Sequence, residues 1–266
     1  MILVKAGGGR DVAWDAIGRD LASFNGSETF IVVHGASVLR DEIAARLSIP
    51  VRTVVSPSGV PSVYTDDEAM EVFLMAYAGV ANKTIVAALH KHGLNAVGLT
   101  GVDGRLWEAR AKKDLLVREN GKTLLLRDNR TGRVERSNTH LVRLLTGHGY
   151  LPVICAPAIS GEHDIVNTDN DWAAAVMAAD LGIREIVYLF EAPGFLRDPE
   201  KPETLIPRID RSRIEEHMAF AAGRMKKKLL GAKKALESGV SAVYFGDGRI
   251  EKPVRSALEG KGTVIS

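Results

Sequence analysis

Residues Met1–Arg10 read MILVKAGGGR, and this opening sets the architecture of the chain. A short apolar run gives way at Lys5 to three consecutive glycines, the pattern of a buried strand ending in a turn with open backbone N–H groups. A helix beginning near Asp11 would add its positive end to that turn. The same unit recurs at Phe30–Ser37, FIVVHGAS, where a β-branched run closes on His34-Gly35-Ala36 and Ser37 is placed to open a helix. Strand-like runs follow at Asn95–Thr100, Leu151–Ala156, Glu185–Phe190, Ala242–Phe245 and Gly262–Ile265. Helical periodicity lies between them, at Trp14–Ser23, Asp66–Gly93, Ser137–His148, Asp171–Leu181 and Glu215–Ser238. Alternation of this kind predicts an α/β sandwich around a largely parallel central sheet.

Residues Lys112–Val134 break the rhythm. DLLVRE and TLLLRD flank Asn120-Gly121, a hairpin signature, and are expected to form an antiparallel flap on the surface. The proline-rich stretch Arg197–Pro207 reads as a loop, because strand–helix alternation resumes after it. A division is expected near Asp171, with two halves sharing one sheet.

Of the 266 residues, 45% are hydrophobic and 26% charged, and the formal charge is +2. That content supports a sizeable core, excludes a disordered chain and does not announce a nucleic-acid partner. Arg224–Lys228 with Lys233 and Lys234 is a local basic run, either a solvated helix face or a surface for phosphates or an acidic partner. The single cysteine, Cys155, lies in LPVICAPA and reads as a buried strand residue with no disulfide partner. His90 and His92 are spaced by two, which does not place them on one helical face, so no metal site is expected. The first residues resemble neither a signal peptide nor a membrane anchor, and no run approaching the roughly 20 apolar residues of a spanning helix is read. A cytoplasmic location is therefore expected. Neither a Walker A loop nor a G-x-S-x-G elbow occurs.

A third polar loop, Asn167-Thr168-Asp169-Asn170-Asp171, leads into an alanine-rich helix. Its side chains suit substrate or metal contact, and equally suit plain helix capping. Each of the three loops alone is explained by turn formation. Together, at strand ends of one α/β framework, they favour a phosphate-handling cleft.

Several motifs in order along the chain resemble the amino-acid-kinase superfamily. VKAGGGR at Val4–Arg10 is similar to its K-x-G-G opening, and VVHGAS at Val32–Ser37 to its second glycine loop. GVANK at Gly79–Lys83, AVGLTGVDG at Ala96–Gly104, and GYLPV at Gly149–Val153 with the following N-T-D-N-D resemble the acetylglutamate-kinase branch. Pro193-Gly194, GRMKKK at Gly223–Lys228 and GKGTVI at Gly260–Ile265 continue the likeness. Within that branch TGVDGRL, SVYTD at Ser62–Asp66, and the segments GRMKKKLLGA and KPVRSALEGKGTVI look most like the LysW-linked kinases of lysine and arginine biosynthesis.

The resemblance implies a three-layer αβα sandwich of the carbamate-kinase-like type. It implies a substrate-binding lobe over residues 1–170, a nucleotide-binding lobe over 171–266, and a homodimer. The expected reaction is ATP-dependent phosphorylation of the side-chain-end carboxylate of 2-aminoadipate or glutamate. The amino group of that substrate would be attached to a small acidic carrier protein of the LysW type, and Mg²⁺ would travel on the nucleotide. Lys5 and Lys228 would be the lysines that stabilise the transition state, with Asp171 holding them. Gly35, Ala36, Val63 and Asn167 would meet substrate. Gly7, Gly8, Glu191, Pro193, Gly194, Phe195 and Gly223 would meet phosphate and nucleotide.

The chain departs from the family pattern in four places. Val63 stands where S-R-Y-T carries an arginine for a substrate carboxylate, and Ala36 replaces a glycine. Phe190-Glu191-Ala192-Pro193-Gly194 alters the nucleotide loop, and Trp172 replaces a small or amide residue. Two further readings stay open: a kinase of this branch acting on N-acetylglutamate or another carrier-linked amino acid, and a catalytically weakened protein that binds an effector or partner.

Overall fold

The computed structural model describes residues 1–56, 61–119, 122–221 and 223–266. Its strands are β1 (Ile2–Ala6), β2 (Phe30–His34), β3 (Thr53–Val55), β4 (Pro61–Val63), β5 (Ala96–Gly101), β6 (Trp107–Lys112), β7 (Leu115–Glu119) and β8 (Lys122–Leu126). They continue as β9 (Thr131–Ser137), β10 (Leu151–Ser160), β11 (Ile165–Val166), β12 (Glu185–Phe190), β13 (Arg208–Ile209), β14 (Ala242–Asp247) and β15 (Thr263–Ile265). The main sheet runs β13-β15-β14-β12-β1-β2-β10-β6-β9, with β5 and β11 also paired to β10. Its centre is parallel: β1 pairs with both β2 and β12, and β14 lies parallel beyond β12. The expected α/β sandwich is therefore present.

Side-chain alternation along β1 builds the three layers. Ile2, Val4 and Ala6 join a core with Ile17 and Leu21 of helix Trp14–Ala22, Ile85 and Leu89 of helix Asn82–His90, and Val254 of helix Pro253–Leu258. Leu3, Ile31 and Val33 face the other way, against helix Asn170–Leu181 and helix Gly223–Glu237. Small residues let these last two helices approach closely. A Cβ on Gly231 would lie only 3.0 Å from the Asp171 carbonyl oxygen.

Four sequence expectations change. Residues 112–134 are not all flap. β7 and β8 pair antiparallel and join β3 and β4 in a small second sheet, whereas β9 pairs with β6 and extends the main sheet. Asn120-Gly121 lies outside the described residues. The stretch read as one helix over Glu215–Ser238 is two, Ile214–Met218 and Gly223–Glu237, and Gly223 sits at φ 52°, a conformation no continuous helix accepts. Helix Pro253–Leu258 was not anticipated. Finally, Asp67–His90 forms one 24-residue helical run, π-helical at Met75–Ala81, that is long and apolar enough to cross a membrane. Its apolarity serves both cores, since Met70, Phe73 and Tyr77 pack in one and Ile85 and Leu89 in the other.

Helix Pro253–Leu258 takes its N-terminal cap from a distant residue. The buried Asp20 carboxylate accepts from Val254 N at 2.8 Å and Arg255 N at 2.9 Å. These bonds satisfy two otherwise orphaned donors and place negative charge at the helix start. Asp20→Ala should lower stability by about 2 kcal/mol, the cost of stranding buried donors. Urea unfolding checks this, and a midpoint matching the wild type would show that the cap contributes nothing.

Candidate active site

The period of β1 sends Lys5 to the same sheet face as Leu3, toward the two closely packed helices. There its ammonium meets Asp171, in the first turn of helix Asn170–Leu181, at 2.5 Å. Lys228 of helix Gly223–Glu237 reaches the other oxygen of the same carboxylate at 3.4 Å. Only 5% of Lys5 and 6% of Asp171 is exposed. Burial by itself would raise the Asp171 carboxyl, but the Lys228 and Lys5 charges outweigh it and hold the group down at about 2. Burial lowers Lys228 to about 8: attraction to Asp171 opposes the shift, and repulsion from Lys5 adds to it. One carboxylate serves two ammonium groups, so a net positive charge is left under the cavity.

The N-T-D-N-D loop divides its labour. Asp169 caps the helix, accepting from Asp171 N at 2.9 Å and Trp172 N at 3.1 Å. Asn170 Oδ1 accepts from Ala156 N at 3.0 Å and ties the helix start to β10. Asn167 Nδ2 donates to Thr65 Oγ1 at 3.0 Å. Only Asp171 is turned onto the lysines. The Asp171 carbonyl also accepts from the Tyr188 hydroxyl at 3.0 Å.

Above the ion pairs lies a cavity of about 950 Å³. Lys5, Gly7, Gly8, Gly35, Val63, Asn167, Asp171, Glu191, Gly223 and Lys228 all line it, so most of the residues singled out from sequence converge here. Ala36 is buried just behind, as the residue preceding helix Ser37–Arg46. Pro193, Gly194 and Phe195 are not among the lining residues. Phe195 packs in the core and donates its N–H to Thr263 Oγ1 at 2.8 Å.

Three helices point their N-terminal turns at the cavity, through Ser37, through Asn170 and Asp171, and through Gly223 and Arg224. Such ends attract anions. The two glycine turns abut backbone to backbone, and a Cβ on Gly8 would lie 2.5 Å from both Ala36 N and Ser37 N. Gly7 N donates to Leu189 O and Gly35 N to Ala6 O, so these two amides extend the sheet. Glu191 accepts from Asp11 N at 2.8 Å.

Beneath the second turn, burial pushes His34 down to about 4. Its neutral ring lies 3.2 Å from Gly35 O and 3.0 Å from Asn82 Nδ2. Burial likewise pushes the Cys155 thiol up to about 12, so neither group offers a base or nucleophile near neutrality. Among lining residues that sequence reading did not single out are Arg40, Lys112 and Arg133. The alternation of WEARAK at Trp107–Lys112 was the available signal for Lys112, since it marks β6 as a strand.

A cavity floored by paired lysines and ringed by helix starts is built to grip phosphoryl groups. Residues 1–247 match the amino acid kinase family, and the chain belongs to that family. Membership carries with it the use of ATP as phosphoryl donor.

Two full-length relatives sharpen the comparison. The chain is 45% identical over 267 residues to the LysW-aminoadipate kinase of Deinococcus radiodurans, covering all of this chain and 91% of that one. It is 42% identical over 268 residues to the enzyme of the same name from Thermus thermophilus, covering all of both. Carbamate kinase from Giardia lamblia bound to AMP-PNP shares the fold, with a TM-score of 0.64 at 15% identity over 99% of this chain and 98% of that one.

The site predicts a pH signature. Because Lys228 titrates near 8 in the folded protein, kcat/KM should fall as pH rises through that value and its charge is lost. Lys228→Arg should carry the descending limb well above pH 8. The pH–rate profiles of both proteins check this, and an unmoved limb would remove Lys228 as its origin. The stability sign is separate. The folded pKa of Lys228 lies below its unfolded value, so its charged form is penalised by folding, and that penalty lifts as pH rises from about 8 toward 10.5.

Proposed function

We propose that this protein transfers the γ-phosphoryl group of ATP to the side-chain-end carboxylate of 2-aminoadipate, or of glutamate, whose amino group is blocked by a LysW-type carrier. The product is an acyl phosphate. The observation that carries the chemistry is the buried Lys5–Asp171–Lys228 arrangement beneath the cavity. The substrate class rests on the two full-length relatives at 45% and 42% identity.

The physical demand of the reaction matches what the residues supply. A carboxylate oxygen must attack phosphorus while the bond from phosphorus to the ADP oxygen breaks, and both reactants are anionic. No proton has to move, so a site without a poised base is sufficient. Lys5 and Lys228 neutralise the charge spread over the transferring oxygens, and Asp171 fixes both ammonium groups in place. The start of helix Ser37–Arg46, packed against Gly8, offers further fixed positive potential to phosphate. Glu191, Gly223 and Arg224 border the side where the nucleotide would lie. Mg²⁺ would be held by the nucleotide phosphates, its usual mode in such enzymes.

Hydroxylamine trapping with ATP and Mg²⁺ tests the reading directly. Carrier-linked aminoadipate, carrier-linked glutamate and free N-acetylglutamate are offered in parallel, and hydroxamate is expected from a carrier-linked substrate. Product from N-acetylglutamate alone would overturn the carrier assignment. Lys228→Ala and Lys5→Ala should each lower kcat by roughly 100-fold or more, the usual cost of removing one preorganised charge-stabilising donor. Turnover at the wild-type rate in either variant would overturn the catalytic assignment.

A further inference from the structure

Positive charge in the cavity extends beyond the paired lysines, on the ribbon formed by β6 and β9. Arg110 and Arg133 stand directly opposite each other in the antiparallel register. Lys112, two residues beyond Arg110, shares their face. Like charges placed opposite one another across a ribbon are destabilising. Glu135 pairs with Arg110 and offsets part of that cost. Among the described residues, neither Lys112 nor Arg133 has a carboxylate within ion-pair distance.

Both unpaired cations line the same cavity as Lys5 and Asp171. The Arg133 guanidinium lies 3.6 Å from the centroid of the Trp172 ring, a stacked cation–π contact that leaves the donor edge of the fork available. The platform is itself fixed, because Trp172 Nε1 donates to Val134 O at 3.0 Å. Burial, with repulsion from Arg133 and Arg110, lowers Lys112 from its ordinary value. The ribbon is tied to the polar loop by Gly132 N donating to Asn167 O at 2.8 Å and Asn167 N donating to Arg130 O at 2.8 Å. Val63, which lines the same cavity, contributes no charge.

We propose that Lys112 and Arg133, with Trp172 as the stacking platform, form a receptor for the substrate carboxylate that is not phosphorylated, the α-carboxylate of the amino-blocked acidic amino acid. This rests on the function proposed above. The geometry supplies the parts such a receptor needs: a flat guanidinium for two-pronged recognition, an ammonium on the same face, and no anion among the described residues competing for either. The uncompensated repulsion between the cations is relieved when the anion arrives, so the stability cost of the empty ribbon is returned on binding. With Lys5 and Lys228 on the floor and this pair on the ribbon, the cavity has separate positive centres for the two ends of a dicarboxylate.

The test compares carrier-linked 2-aminoadipate with its α-carboxamide counterpart in wild type, Arg133→Gln and Lys112→Gln. Wild type should prefer the carboxylate strongly in kcat/KM. In Arg133→Gln that preference should shrink by roughly 30- to 100-fold, the value of a charge-assisted paired contact. Lys112→Gln should show a smaller loss of the same preference. The KM for ATP should hold, and thermal midpoints should stay level or rise as like-charge repulsion is removed. A wild type indifferent to the α-carboxylate overturns the receptor, as do variants that keep the full preference or lose both substrates equally. Those results leave the proposed function standing. If wild type turns over only a different amino-blocked dicarboxylate, the carrier-linked reading falls, and the same carboxylate-to-carboxamide ratio on that compound decides the receptor. No turnover of any amino-blocked dicarboxylate overturns both.

Discussion

A carboxylate removed from water must be paired, and the way Asp171 is paired governs the rest of this molecule. Its two partners come from different elements, Lys5 from the central strand β1 and Lys228 from helix Gly223–Glu237. Bringing them together requires the two covering helices to pack closely, which explains the run of alanines from Ala173 to Ala175 and the absence of a side chain at Gly231. The arrangement contributes little to stability in net terms, since desolvating three charges offsets most of their attraction. Its value lies in what remains unneutralised. Two cations share one anion, and the excess charge faces the cavity.

The glycine turns follow from a second constraint, the need for backbone to approach backbone. Gly8 fits against Ala36 and Ser37 because it has no Cβ, and this contact presents the start of helix Ser37–Arg46 to the cavity. The His34 ring, kept neutral by burial, sits between Asn82 and the Gly35 carbonyl and braces the second turn from below. Its position in the sequence beside a glycine motif suggests chemistry, whereas its surroundings make it part of the scaffold. Fixed dipoles of this kind need no reorganisation when charge moves, which is the advantage they hold over water in stabilising a transferring phosphoryl group.

The two walls of the cavity obey different electrostatics. On the floor, Asp171 holds both ammonium groups, so the charge there is fixed in place. On the ribbon side, Lys112 and Arg133 lack an internal counter-ion among the described residues, and Arg133 is held by stacking over Trp172. Asp171 and Trp172 are adjacent, so one helix turn holds the paired lysines with one side chain and supports Arg133 with the next.

Much of this was legible in the amino-acid sequence, because it depends on local pattern. The short apolar, β-branched runs at Ile2–Ala6, Phe30–His34 and Glu185–Phe190, the glycine turns after the first two and the alanine-rich helix announced an α/β sheet with a phosphate-handling edge. Motif likeness singled out Lys5, Asp171 and Lys228 as residue types in order. Other features were invisible locally. The break at Gly223 depends on a positive φ that composition did not reveal, and it places a helix start at the cavity. β9 resembled its neighbours in the flap until pairing with β6 placed it in the main sheet. Pro193, Gly194 and Phe195 sit in a promising motif, yet packing against Thr263 draws Phe195 into the core. The sequence by itself therefore determined most strands of the central sheet, most of the helices that cover it and the residue types gathered at its edge, since apolar runs and backbone freedom are properties of neighbours along the chain. Only the tertiary structure decided that Lys112 and Arg133 share a wall of the cavity with no counter-ion among the described residues. Burial and charge pairing depend on distances between side chains, and those are set by how the sheet and helices pack.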